Sequence, residues 1–122
     1  LWPLYDRPPM AGPHEQAQGR IALLGDAAHP MRPYLAQGAG MAIEDAYQLP
    51  RSLSEFPGNV PTALLHYAQA RWERNARVQA RSIRNGRIFH LRGPMRLGRD
   101  VALRALGTRV LDIPWLYGFH EA

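Results

Sequence analysis

The stretch "RIALLGD" at residues 20–26 limits the possible folds more than any other part of this chain. Ile21, Ala22, Leu23 and Leu24 are continuously apolar, and Gly25 ends the run too early for a buried helix. The pattern predicts a strand covered on both faces, as in a parallel sheet. Ligands of open α/β sheets bind beyond the carboxyl ends of the strands. Gly25 and Asp26 would stand at such an edge, with the acid able to accept hydrogen bonds from sugar or polyol hydroxyls. Ala27 and Ala28 are small enough for a ligand chain to approach the backbone. Pro33 stiffens the loop that follows. Gln37, Gly38, Ala39 and Gly40 then open a helix, whose first N–H groups lack intrahelical acceptors and carry the positive end of its dipole. Glycines at that point admit a flat ring, and the helix start suits negative charge.

The remaining chain reads mostly as helix. "LWPLYDR" (1–7) has the pattern of a short strand, and the Pro- and Gly-rich residues 8–19 that of a loop. From Ala39 a stripe of Ala39, Ala42, Ile43, Ala46, Leu49 and Leu53 faces one way, with Glu44, Gln48 and Arg51 opposite. Pro50 predicts a break near residue 49. "EFPGN" (55–59) is a turn. Pro61 suits a first helical position and opens the longest element, running to about His90. Pro94 opens a third helix that Gly107 closes, with Asp100 and Arg104 spaced as an i,i+4 pair. The oily tail "DIPWLYGFH" (112–120) is expected to pack on the helices or on a neighbour.

Composition narrows the functional classes. The 122 residues fit one domain, and no apolar run is long enough to span a membrane. No signal-peptide pattern opens the chain, which does not begin with methionine and reads as a piece of something longer. The absence of cysteine excludes disulfides and thiolate metal sites and is compatible with a cytoplasmic protein. The formal net charge is +5. Every cationic side chain is arginine, and most lie between Arg71 and Arg109. The row at 71, 74, 77, 81, 84 and 87 steps by three or four. An arginine-rich helical module that binds nucleic acid or docks on a protein is therefore the alternative reading. Asp26, His29, Glu44 and Asp45 match no zinc spacing, so no metal site is expected. Glu44 or Asp45 is expected to pair with Arg71 or Arg74, His29 to hold a backbone group, and Asp26, read alone, could simply cap the next turn.

"GRIALLGDAAHPMRPYLAQGAGMAIEDA" resembles the second flavin-binding signature of the FAD-dependent aromatic hydroxylases, with the salicylate and hydroxybenzoate hydroxylases as the nearest branch. "YAQARWERNARVQARSIRNGRIFH" is similar to that family's long helix, and "WLYGFH" to its closing segment. The resemblance implies an α/β fragment, mostly α. One or two strands from a larger FAD-binding, Rossmann-like fold would be followed by a C-terminal helical subdomain. Residues 1–18 would end the substrate domain, 19–56 would complete the FAD-binding domain, and 57–122 would form the helical region. By the same resemblance Gly25 and Asp26 meet the ribityl chain of FAD, Pro33 lines the flavin, and Gly38, Ala39, Gly40 and Met41 offer backbone groups to the isoalloxazine. The implied activity is hydroxylation of a phenolic acid-like substrate with NAD(P)H and dioxygen. No catalytic side chain is assigned to these residues. The family's N-terminal Gly-x-Gly-x-x-Gly turn has no counterpart here. The chain is thus expected to be the C-terminal part of such an enzyme, to need the remainder of the flavoprotein as its partner, and to be inactive alone.

Overall fold

The computed structural model describes residues 7–32 and 37–107. Most of the strand expected at residues 1–7, the whole of the tail at 112–120, and Pro33 lie outside the described residues. The described chain is mostly helical, with two short strands. It falls into two compact units, Leu1–Gly86 and Arg87–Ala122, each of which is described by itself.

In the first unit, a one-turn 3-10 helix at Pro13–Glu15 leads into strand β1 (Ala17–Gln18). Strand β2 (Ile21–Ala22) pairs with it antiparallel, Ala17 opposite Ala22 and Gln18 opposite Ile21. Gly19, at φ +58°, makes the tight reversal between them. The residues expected to form only a loop thus supply a partner strand. The expected doubly covered strand is a two-residue hairpin arm instead. Ile21 is 72% exposed and Leu24 is 40% exposed. The physical reason is lateral: a covered strand needs neighbours at its edges and layers on its faces, and among the described residues only β1 lies beside it.

Helix α1 spans Gly38–Glu55 and helix α2 spans Val60–Phe89. Helix α2 begins within one residue of the position that Pro61 signals. Its Asn59 accepts from the Thr62 N–H through its side chain, a ready-made cap. Helix α1 departs from expectation twice. It runs through Pro50 without ending. Pro50 and Ala46, whose carbonyl loses its N–H partner, both lie on the exposed side, where water can serve that carbonyl. The buried face is also not the apolar stripe. Met41, Asp45 and Ser52 are buried, whereas Ile43 is 70% exposed and Ala39 and Ala46 are exposed.

One apolar cluster lies among the described residues. Ala17, Leu64 and Ala68 are buried together, with Ala22, Leu49 and Val60 packed against them. Polar contacts complete the interior. Tyr67, fully buried in α2, donates its hydroxyl hydrogen to the Leu23 carbonyl at 3.1 Å and accepts from Gln16 Nε2 at 2.9 Å. Burial and the negative charge of Asp45 push its phenol well above the ordinary range. Gln79 Nε2 donates to the carbonyls of Arg7 and Pro30, and Ser82 Oγ to that of Arg32, so α2 pins the loop after β2 as well as the strands.

In the second unit, helix α3 (Pro94–Leu106) opens at its proline and closes at Gly107, at φ +54°, as the sequence signals indicate. Arg99 donates to the carbonyls of Ile88 and Phe89, which satisfies the C-terminal end of α2. Asp100 is engaged by Arg99 at 2.6 Å and Arg96 at 3.7 Å, where the spacing suggested Arg104. Arg99 holds its carboxyl below the ordinary aspartate value.

Candidate functional site: an acidic turn beside an open helix start

Beyond β2 the chain makes a single 3-10 turn, Gly25–Ala27. The turn depends on glycine. Gly25 has φ +54°, a conformation that costs a side-chain-bearing residue energy, and an added Cβ would stand 3.2 Å from the Ala42 Cβ. Its carbonyl accepts from the N–H groups of Ala28 and His29, both at 2.9 Å, which locks the turn. Asp26 projects outward from it and is exposed. Among the described residues its carboxylate makes no hydrogen bond or ion pair. It therefore does not cap the following turn through its side chain. Its Oδ1 lies 3.8 Å from where a Cβ on Gly38 would stand. The acid thus faces the first residue of α1.

Among the described residues, no side chain caps that helix start. Gln37 is its N-cap and gives no side-chain cap, and no acidic residue occupies the first turn. The intrahelical ladder begins with Met41, whose N–H donates to the Gln37 carbonyl at 2.9 Å. The N–H groups of Gly38, Ala39 and Gly40 precede it and have no acceptor within the helix. Met41 was expected to offer a backbone group too, but its N–H is already used and its side chain is buried at 1% exposure. Among the described residues, none demands either glycine: a Cβ on Gly38 would make ordinary contact with Asp26, and one on Gly40 would meet the flexible end of Gln37 at 3.4 Å. Glycine near a helix start leaves the backbone bare of a Cβ, which suits a flat group against it. Among the described residues, the groups present fit a polyol-linked, anionic ring: an acceptor at Asp26 and donors at residues 38–40.

Beneath this surface lies a buried charged network centred on Asp45. Its carboxylate accepts from the Gly25 N–H at 3.1 Å, from Arg71 Nε at 2.8 Å and from Asn75 Nδ2 at 3.1 Å, and pairs with His29 Nε2 at 2.7 Å. Burial pushes the Asp45 carboxyl up, but the hydrogen bonds from His29, Arg71, Asn75 and Gly25 together hold it below the ordinary aspartate value. Glu44 follows the same balance, lowered by Arg74 and Arg71 against the cost of burial. Arg74 grips Glu44 with two nitrogens, at 2.7 and 2.8 Å, and that grip raises its own pKa. Both expected acid–arginine pairings are present, and Arg71 reaches Glu44 as well as Asp45. His29 differs from expectation in holding a carboxylate rather than a backbone group. A weak signal for this network exists in the sequence. Met41, Asp45, Gln48 and Ser52 recur at one helical face, and an acid on that face needs a partner. Arg71 and Arg74 are absorbed in these pairs, which withdraws two members from the arginine row considered as a nucleic-acid face.

Residues 14–89 match the FAD binding domain family, so the chain belongs to that family. The chain is 43% identical to a 3-amino-4-hydroxybenzoate 2-monooxygenase of Streptomyces platensis, over 99% of its own length and 30% of that protein. It is 39% identical to a salicylate hydroxylase of Pseudomonas putida, over 96% of this chain and 26% of the relative. It is 36% identical to a 3-hydroxybenzoate 6-hydroxylase of Klebsiella oxytoca, over 98% and 30%. The chain thus spans about 30% of the length of such relatives.

Proposed function

We propose that this chain is the flavin-facing C-terminal part of an FAD-dependent monooxygenase that hydroxylates a phenolic acid-like aromatic compound. The observation that carries the reading is the exposed Asp26 carboxylate, which no described residue pairs, beside the uncapped start of α1. On the turn that Gly25 shapes, Asp26 would hold the ribityl hydroxyls, the N–H groups of Gly38, Ala39 and Gly40 would meet the pyrimidine edge of the isoalloxazine, and Pro33 would border the ring. FAD, when bound and reduced by NAD(P)H, supplies the chemistry of dioxygen activation. These residues bind it, orient it and present a positive helix end to the charge it acquires. The aromatic carboxylic acids in the names of the relatives support the substrate class.

In this reading β2 joins a larger Rossmann-like sheet, and residues 19–56 complete the FAD-binding domain. Residues 1–18 end the substrate domain, and residues 57–122 form the helical region. The rest of the flavoprotein covers Ile21, Leu24 and Ile43, which are exposed in this chain. The parent works in the cytoplasm, where NAD(P)H is at hand. No helix among the described residues is long and apolar enough to cross a membrane.

The test uses the full-length flavoprotein. It should purify yellow and oxidise NAD(P)H faster when a hydroxybenzoate or salicylate is added. Asp26→Ala should lose most of its FAD on gel filtration. Flavin content equal to the unaltered protein's would remove the role assigned to Asp26.

A further inference from the structure

We infer that Asp45 is a positioning residue for the flavin: it sets where Asp26 stands relative to the α1 N-terminus, although it touches no ligand itself. The inference rests on the reading of Asp26 and residues 38–40 as the flavin contact. Three observations carry it. Asp45 is fully buried, so its charge serves nothing at the surface. One of its oxygens accepts from both the Gly25 N–H and His29, the residue before Asp26 and the third residue after it. Its other oxygen accepts from Arg71 and Asn75 of α2. The carboxylate therefore ties the acidic turn to α1 and α2 at one atom group.

The alternative, a purely packing role, explains the presence of a buried ion pair but not the choice of partners. An acid that only neutralised Arg71 would not need to take the one N–H that precedes Asp26. That N–H belongs to Gly25, at φ +54°, a residue free to adopt many conformations, so an outside hydrogen bond narrows its choice. Without the Asp45 oxygen, the Gly25 peptide can rotate and carry Asp26 away from Gly38. Small misplacement of a binding group is costly because the ligand then loses a formed hydrogen bond.

Asp45→Asn is the discriminating change, since it preserves size and one acceptor oxygen. The asparagine oxygen is drawn to Arg71 and Asn75, which leaves an N–H₂ group facing the Gly25 N–H. His29 can adapt by accepting from that group, whereas the Gly25 donor cannot. Apoprotein of the full-length flavoprotein, of Asp45→Asn and of a control, Ser52→Ala, is titrated with FAD. Affinity is read by quenching of flavin fluorescence, and the visible circular dichroism of the bound flavin is recorded. Ser52 is buried in the same helix and bonds His66 and Gln48 but does not reach the acidic turn.

Asp45→Asn should weaken FAD binding about tenfold or more, the worth of a buried charge-assisted hydrogen bond, and alter the dichroism of the flavin that remains. Ser52→Ala should leave both unchanged in the folded protein. Should Asp45→Asn not fold, Asn75→Ala loosens the same carboxylate from behind and should give a smaller change of the same sign. A normal FAD affinity and spectrum in the folded variant, with only a lower melting temperature, would overturn the inference. Asp26→Ala is measured alongside. If it loses FAD while the Asp45 and Asn75 variants do not, the positioning role alone fails. If Asp26→Ala also binds normally, the reading of the whole site fails.

Discussion

Replacing Arg71 with methionine should be among the most damaging single changes outside the flavin edge. Methionine keeps the length of the buried aliphatic stem but removes the guanidinium. Arg71 donates to Asp45 at 2.8 Å, to Glu44 at 2.7 Å and to Asn75 at 3.1 Å, with its side chain 4% exposed. Breaking a buried ion pair from one side costs about 3–5 kcal/mol, mostly because the partner charge stays buried. The low end applies here. Glu44 keeps Arg74, and Asp45 keeps Gly25, His29 and Asn75, so neither carboxylate is stripped. The expected loss is therefore about 3 kcal/mol. Arg74→Met is the comparison. Arg74 is 22% exposed, and Glu44 would retain Arg71, so about 1 kcal/mol is expected there. Urea unfolding of the full-length apoproteins, followed by far-ultraviolet circular dichroism, measures both. Equal costs for the two variants, or a cost below about 0.5 kcal/mol for Arg71→Met, would refute the claim that Asp45 depends on a desolvated partner.

Acid should loosen the first unit. Glu44 and Asp45 are both held below their ordinary values of 4.5 and 3.8, so their contribution is complete above about pH 4.5 and is lost as pH falls through the lower folded values. A melting temperature that stays level from pH 5 to pH 3 would contradict this (a window chosen about those ordinary values). Gly25→Ala should cost about 1–3 kcal/mol, from the positive φ and the approach to Ala42, and should also lower FAD retention. Equal stability and flavin content would show that the turn tolerates a side chain. Pro50→Ala should stabilise the apoprotein by about 1–2 kcal/mol, because it restores a backbone bond to Ala46 inside an uninterrupted α1. A neutral or destabilising result in the same urea assay would mean that the proline sets the course of the helix.

Local chemistry explains which features could be read from the residues. Pro61, Pro94 and Gly107 act within one turn of themselves, so the limits of α2 and α3 follow from neighbours in sequence. The resemblance of residues 20–47 pointed to the Asp26 turn and the α1 start together, and the structure places Oδ1 of Asp26 beside Gly38. Long-range burial was not available in the same way. The stripe from Ala39 to Leu53 is the more hydrophobic face of α1, yet the neighbouring face of Met41, Asp45 and Ser52 is the buried one, because Arg71, Asn75 and His29 meet Asp45 there. Hydropathy alone assigns an acid to the surface; only its donors, up to 30 residues away, make the interior tolerable. The apolar run at β2 was likewise read as covered on both faces, a property that depends on strands other than its own hairpin partner. Pro50 predicts a break because its local cost is real. The fold meets that cost on the exposed side of the helix.

The account stands on one flavin gripped at two points. A structure of the full-length protein with FAD bound tests this directly. It should show a ribityl hydroxyl hydrogen-bonded to the Asp26 carboxylate and the pyrimidine edge of the same flavin against the N–H groups of residues 38–40. A flavin that meets only one of these groups, or that lies in another cleft with Asp26 turned to water, would contradict it.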